Sequence, residues 1–280
     1  MKVVILSDTH LVAPGETSRS LDTGERLHQA IIDINTHYAD ATLCVLSGDL
    51  ADHGQREAYL RLQNLLAELT VPWRLMIGNH DHRETFLGVF KDTPVDDSGF
   101  VQSVYDSPEG RLIFLDSVDA GKDDGVLCEA RLNWFRTRLA EAETQPVYVF
   151  LHHPPCDIGM GVDRVKLRNP DALLAALRQH TDVRSVFAGH AHHPTSVMWH
   201  RHPCYVVGAT HYNATLHLTG TPGVGMRCYG PAYYAVVLID GDYLAVHHHD
   251  FLYGYPELAR PLFQRIHQDF GLESTPTPVS

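Results

Sequence analysis

Lys2-Val3-Val4-Ile5-Leu6-Ser7-Asp8-Thr9-His10 decides the reading of the chain, because an apolar run stops abruptly at a hydroxyl, a carboxylate and an imidazole. A run this short, cut off by polar residues, reads as a buried strand rather than a signal-peptide core. The same event recurs downstream. Leu43–Leu46 ends in Ser47-Gly48-Asp49, and Leu75–Ile77 in Gly78-Asn79-His80-Asp81. Val147–Leu151 ends in His152-His153-Pro154, and Val186–Ala188 in Gly189-His190-Ala191-His192. Separate strands thus deliver Asp, Asn or His at their C-terminal ends, where open α/β sheets place their sites. Gly48, Gly78 and Gly189 directly precede the polar residues, which is expected where the chain must turn sharply.

Between these runs lie helix-length amphipathic stretches. Glu25–Tyr38, Arg56–Leu69, Leu132–Leu139 and Ala172–His180 carry apolar residues at helical spacing, with Pro170-Asp171 placed to start the last. Leu112–Leu115 reads as a further strand. Strand–helix alternation of this kind predicts α/β layers, with helices packed on sheets. From about Pro203 the texture changes. Cys204–Val207, Ala214–Leu218, Tyr233–Ile239 and Tyr243–His247 read as successive strands joined by Gly/Pro turns. His247-His248-His249 ends the last of them without spaced partners and reads as edge packing. One domain over 1–250 is expected, then a partly frayed extension over 251–280 holding a short helix at Leu258–His267.

The chain has 280 residues, and 22 Lys+Arg against 34 Asp+Glu leave a formal charge of −12. That balance disfavours nucleic-acid polymers and anionic membrane surfaces as partners, since binding them needs basic neutralising charge. No stretch approaches the roughly 18–20 apolar residues of a membrane-spanning helix. The 5 cysteines are scattered, without a CxxC, which argues against a disulfide framework and excludes a cysteine zinc knuckle. A cytoplasmic protein is the expectation. The 20 histidines nearly match all the strong bases, and they direct attention to metal binding and near-neutral acid–base chemistry.

The donors at the strand ends are all nitrogen or oxygen, suited to Zn, Mn or Fe. There are too many for one ion. Two ions share them naturally, because a carboxylate such as Asp49 can bridge ions about 3.5–4 Å apart, the arrangement that clamps attacking and leaving oxygens in phosphoryl transfer. A phosphoester is then the natural target. HExxH, HxHxDH and GxxxxGK[ST] are all missing, the first two being signatures of other hydrolases.

Asp8-Thr9-His10, Gly48-Asp49, Gly78-Asn79-His80-Asp81, His152 and Gly189-His190-Ala191-His192 fall in the order DxH, GD, GNH[DE], H, GHxH. In this the chain resembles the calcineurin-like metallophosphoesterases over residues 1 to about 193. Gly78-Asn79-His80-Asp81-His82-Arg83 and His152-His153-Pro154-Pro155 resemble the bacterial branch acting on cyclic nucleotides and glycerophosphodiesters. The resemblance implies a four-layer α/β/β/α sandwich of two mixed β-sheets flanked by helices. It implies two metal ions (Mn, Fe or Zn), the first on Asp8, His10, Asp49 and His192, the second on Asp49, Asn79, His152 and His190. His80 would be no ligand but a catalytic group facing the substrate, and a hydroxide bridging the metals would attack phosphorus in line. Homo-oligomers are common among family members with added C-terminal segments.

Arg83 is expected at the substrate, against the alternative of a solvated loop arginine. His53, and Asp52 beside it, are candidate substrate contacts or turn residues. His211 is a candidate contact, or steadies a metal-bound group from behind. His153 is read as packing below the site and not as a ligand. The expected activity is a dinuclear-metal phosphodiesterase acting on a small diester. The alternatives are a phosphomonoesterase or lipid-linked pyrophosphatase on the same core, or a metal-binding scaffold without turnover. A monoester dianion needs extra positive charge, and the motif loops offer mainly Arg83, which favours the diester.

Overall fold

The computed structural model of the chain describes residues 1–252. Its first half runs β1 (Lys2–Leu6), α1 (Thr23–His37), β2 (Leu43–Ser47), α2 (Arg56–Leu66), β3 (Trp73–Met76), α3 (Arg83–Val89), β4 (Ser103–Ser107), β5 (Gly110–Leu115) and α4 (Glu129–Glu141). Then follow β6 (Val147–Leu151), a single 3-10 segment at Gly161–Val165, α5 (Pro170–Leu177), β7 (Val183–Ala188), β8 (Thr195–Trp199) and β9 (His202–Val206). Two short strands, β10 (Asn213–Ala214) and β11 (Arg227–Cys228), precede β12 (Tyr233–Asp240) and β13 (Tyr243–Asp250).

The strands form two mixed sheets, ordered β13-β12-β1-β2-β3 and β4-β5-β6-β7-β9-β8. In the first, β1, β2 and β3 run parallel up to one edge and β12 and β13 add antiparallel strands at the other; in the second, parallel β5, β6, β7 and β9 lie between antiparallel β4 and β8. Strand alternation sorts the apolar side chains into layers. Val4, Leu6, Cys44 and Leu46 pack against Leu27, Ile31, Tyr59 and Phe86 of the first three helices. Val3, Ile5, Leu43 and Val45 point the other way, onto Phe114, Tyr148, Phe150 and Phe187 of the second sheet. That sheet's outer face, with Ile113, Val149 and Val186, meets Leu132, Phe135 and Leu173 of α4 and α5. Three apolar interlayers therefore hold four layers, α/β/β/α.

One expected strand is corrected. Ala214–Leu218 contracts to β10, because only Asn213 and Ala214 form a continuous ladder, on β11, and Leu218 makes just an isolated bridge to Met160. Beyond them no sheet offers a face, and Leu216 and Leu218 are exposed. His247–His249 extend β13 along the sheet edge, where His249 Nε2 meets Asp33 at 3.2 Å. The helix expected at Leu258–His267, and the rest of the extension after residue 252, lie outside the described residues. No helix among the described residues is long and apolar enough to cross a membrane.

Candidate metal centre

The C-terminal ends of β1, β2, β3, β6 and β7 meet at one rim, and the loops after them lock together. Asp8 and His10 donate their backbone N–H groups to the carbonyls of Gly48 (3.1 Å) and Asp49 (2.9 Å), tying the loop after β1 to the loop after β2. His190 N–H donates to Asp8 Oδ2 at 3.0 Å, which joins the two sheets across the site. Asp8, His10, Asp49, His190 and His192 all adopt left-handed backbone, with φ between 44° and 68°. Non-glycine residues rarely do so, and each costs of order 1–3 kcal/mol that the surrounding packing must hold.

The glycines act differently from the sharp-turn expectation. Gly48 does need its φ of +100°, but Gly78 and Gly189 have ordinary φ and are required for close approach. A Cβ on Gly78 would lie 2.3 Å from Asp49 Oδ1 and 2.7 Å from His152 Nε2, and one on Gly189 would lie 2.0 Å from Ser7 Oγ.

Hydrogen bonds behind the rings fix which nitrogen faces inward. His152 Nδ1 contacts the Ser47 carbonyl at 2.9 Å, His192 Nδ1 that of Tyr212 at 2.7 Å, and His80 Nδ1 that of Asp52 at 2.7 Å. A carbonyl only accepts, so each Nδ1 carries a proton and each Nε2 is the nitrogen turned inward. His10 Nδ1 is held likewise by Asp52 Oδ1 at 3.0 Å. The lone pairs of His10 Nε2 and His192 Nε2 then face each other at 3.1 Å, which only a proton or a cation resolves. Asp8 Oδ1, Asn79 Oδ1, His152 Nε2 and His190 Nε2 are buried with no hydrogen-bond partner. Buried polar atoms left unpaired cost too much to be accidental in such number.

These atoms converge. Asp8, His10 and His192 offer ligand atoms within 4.8 Å of one another, as do Asp8, Asp49 and His152, and so do His10, Asp49 and His80. A fourth group, His152, His153 and His190, lies alongside. Asp49 Oδ2 stands 3.7 Å from His10 Nε2 and 3.3 Å from His152 Nε2, between the two ends of the cluster. The donor set of imidazoles and carboxylates fits a dinuclear site for Mn, Fe or Zn.

The electrostatics agree. Burial lowers His190 and His192 to about 4, so both are neutral and ready to ligate near pH 7. Burial also penalises the charge on His152, but Asp49 outweighs it and pushes the imidazole up to about 9. Asp49 is buried as well, yet His152 holds its carboxyl well below the usual range. Opposite charges thus organise around Asp49.

The Calcineurin-like phosphoesterase family model matches residues 1–194, the span that carries every one of these loops. The chain belongs to the calcineurin-like phosphoesterase family. A relative from Rhodopseudomonas palustris, named a probable cyclic nucleotide phosphodiesterase, is 37% identical over 91% of this chain and 94% of its own. One from Arcobacter nitrofigilis, named a probable glycerophosphodiester phosphodiesterase, is 30% identical over 72% of this chain and 75% of its own. The crystal structure of a dimetal phosphatase from Danio rerio shares the fold, with a TM-score of 0.66 at 16% identity over 89% of this chain and 96% of that one. As a calcineurin-like phosphoesterase with a dinuclear donor cluster, the chain is a metal-dependent hydrolase.

A cleft of about 420 Å³ opens over the cluster, lined by Asp49, Asn79, His80, His190 and His192 and, from outside the motifs, by Arg19, Asp123, Tyr212 and Arg227. None of the three expected substrate contacts lines it. Arg83 makes a two-pronged ion pair with buried Asp116 at 2.8 and 2.9 Å, and its guanidinium also covers the Phe100 ring. His53 is exposed, with Nε2 3.6 Å from Asp52 Oδ2. His211 is fully buried under the site, its ring 5.5 Å from that of His10 and its Nε2 3.2 Å from the Ser18 carbonyl. The positive charge at the cleft is therefore Arg19 and Arg227, which no motif announces. His153 sits closer to the cluster than its reading as packing implied: Nδ1 meets Ser117 Oγ at 2.8 Å, and buried Nε2 has no partner.

Proposed function

We propose that the chain is a phosphodiesterase for a small diester, a cyclic nucleotide or a glycerophosphodiester. The observation that carries this reading is the unpartnered buried donor set around Asp49, set in a chain whose 37% identical relative bears a cyclic nucleotide phosphodiesterase name over 91% of its length. Asp8, His10, Asp49 and His192 would hold one cation, and Asp49, Asn79, His152 and His190 would hold the other. Two bound cations supply Lewis-acid charge for the phosphoryl oxygens and acidify water near neutral pH.

The chain's own groups do the rest. Asp52 and the Ser47 and Tyr212 carbonyls orient the imidazoles, so no rearrangement is needed on binding. His80 is anchored through Nδ1 on the Asp52 carbonyl, and its backbone N–H donates to Asp49 Oδ1 at 2.9 Å. Its Nε2 is left to hold a proton at the departing alkoxide oxygen, the catalytic role assigned to it here.

Five free cysteines support residence in a reducing compartment, the cytoplasm. The net charge of −12 supports small diesters over nucleic-acid polymers. Homo-oligomerisation is supported by Leu216, Val224, Met226 and Tyr229, large apolar side chains exposed on one segment.

The test combines metal analysis with a substrate panel of cyclic AMP, glycerophosphodiesters, bis-p-nitrophenyl phosphate and p-nitrophenyl phosphate, with Mn, Zn or Fe added. Two metals per chain and a preference for diesters are expected. Activity that survives Asp49→Ala or exhaustive chelation refutes the mechanism, and a preference for the monoester refutes the substrate class.

A further inference from the structure

Some of the chain's arginines are paired with carboxylates, as Arg83 is with Asp116, Arg61 with Asp22 and Arg111 with Asp106. Arg19 and Arg227 are singled out by where they stand. Among the described residues, neither lies in an ion pair with a carboxylate, and both line the cleft over the metal cluster. Their guanidinium carbons lie over one aromatic ring, that of Tyr212, at 4.8 Å for Arg19 and 5.6 Å for Arg227. Tyr212 in turn stacks on His192, with ring centroids 4.1 Å apart and planes 24° from parallel.

This stack fixes how far from the chemistry the arginines act. His192 belongs to the donor cluster, and the guanidiniums stand one aromatic ring beyond it. Groups bonded to a phosphate held at the cluster reach that distance, whereas the oxygens facing the cations do not. Both side chains are exposed to the solvent that fills the cleft. Guanidinium N–H groups only donate, and a fork of them matches oxygen or nitrogen acceptors arranged in a plane. Two cations over one aromatic ring, neither ion-paired among the described residues, form an acceptor-recognition surface.

We propose that Arg19 and Arg227, carried on Tyr212, are specificity-determining residues that bind an anionic or acceptor-rich group attached to the scissile phosphate. For a cyclic nucleotide that group is the nucleoside, whose base carries the planar acceptors. This rests on the phosphodiesterase reading for its substrates, but not for its binding consequences. The residues set which diester enters, and leave the bond-breaking step to the cluster below.

The experiment uses the metal-loaded protein and the variants Arg19→Gln, Arg227→Gln and Arg227→Lys. Kinetics are compared for cyclic AMP, cyclic GMP and methyl phenyl phosphate, whose methyl and phenyl groups offer no hydrogen-bond acceptor. Each Gln variant is expected to raise KM for the cyclic nucleotides about tenfold with kcat nearly unchanged, in line with the loss of a charged hydrogen bond. Methyl phenyl phosphate is expected to be unaffected, and Lys to recover part of the loss. Equal losses on all three substrates overturn the proposal, because the arginines would then serve the scissile phosphate itself, and so does the absence of any loss. Calorimetric binding of adenosine 5′-monophosphate against inorganic phosphate separates this proposal from the reaction it serves. If the wild type turns over no diester, the phosphodiesterase reading fails. The arginine assignment then stands if the Gln variants weaken the nucleotide and spare phosphate, and falls otherwise.

Discussion

Asp52 holds His10 from behind. Its Oδ1 accepts the Nδ1–H of His10 at 3.0 Å, and its other oxygen accepts the Ser18 hydroxyl at 2.7 Å. The imidazole is thereby turned so that Nε2 points at His192 and Asp49. A carboxylate in this position raises the basicity of the ring and fixes its orientation.

Asp52→Asn is therefore expected to weaken metal binding about 10–100-fold at the position served by His10, leaving the other position nearly intact. Competition with a chromophoric chelator checks it through two resolved affinities. Equal weakening of both metals would contradict the assignment.

His80→Ala is expected to retain both metals and lose about 10²–10⁴-fold in kcat, the usual worth of a placed general acid. Elemental analysis beside steady-state kinetics is the measurement. A drop below two metals per chain would instead make His80 a ligand, which its place in a group with His10 and Asp49 renders a real alternative.

What could be read in the sequence follows from how local each feature is. Asp8, Asp49, Asn79, His152 and His190 come directly after apolar strands, and a parallel sheet gathers such ends at one rim whatever the loops do. The α/β layering was legible for the same reason, since Val3–Leu6 and Val147–Leu151 are short apolar runs between amphipathic helical stretches, whereas the two-sheet sandwich was implied only by the family resemblance. Arg19 and Arg227 were not legible, because only the folded chain brings residues 19, 212 and 227 to one ring. Arg83 looked like a phosphate contact for want of its partner: Asp116 sits after β5 in a loop with no motif. The edge strands β4 and β8 escaped because Ser103–Ser107 and Thr195–Trp199 are mostly half-exposed or exposed and lack a continuous apolar run. Leu216 and Leu218 misled in the opposite sense, alternating like a strand face but lying against solvent.

Metal loading is expected to release protons. Asp49 and Asp8 outweigh burial and keep His152 up to about 9, so at pH 7 the ring is protonated, whereas a cation accepts only the neutral imidazole. His190 and His192, at about 4, have no proton to lose there. The sign is thus a metal affinity that rises with pH between 7 and 9 and levels off above, with about one proton released per His152 at pH 7. Calorimetry in buffers of different ionisation enthalpy reads the number directly. Release that grows between pH 7 and 9 would invert the expected sign.

Gly78→Ala tests the close approach at the centre of the cluster. Its Cβ would fall 2.3 Å from Asp49 Oδ1, 2.5 Å from Asp49 N and 2.7 Å from His152 Nε2, with backbone and buried rings unable to yield cheaply. Overpacking of this kind costs about 1–3 kcal/mol, and here the displaced atoms are the shared carboxylate and an imidazole facing it. The variant is expected to fold with a lowered Tm and to bind fewer than two metals. Gly88→Ala is the control: it lies in α3 with nothing within 4 Å of the new Cβ, and alanine there favours the helix. Its Tm should hold or rise and its metal content stay at two. If Gly78→Ala also keeps both metals at unchanged affinity, then Asp49 and His152 tolerate displacement, and the tight geometry around Asp49 is not what holds the pair of ions.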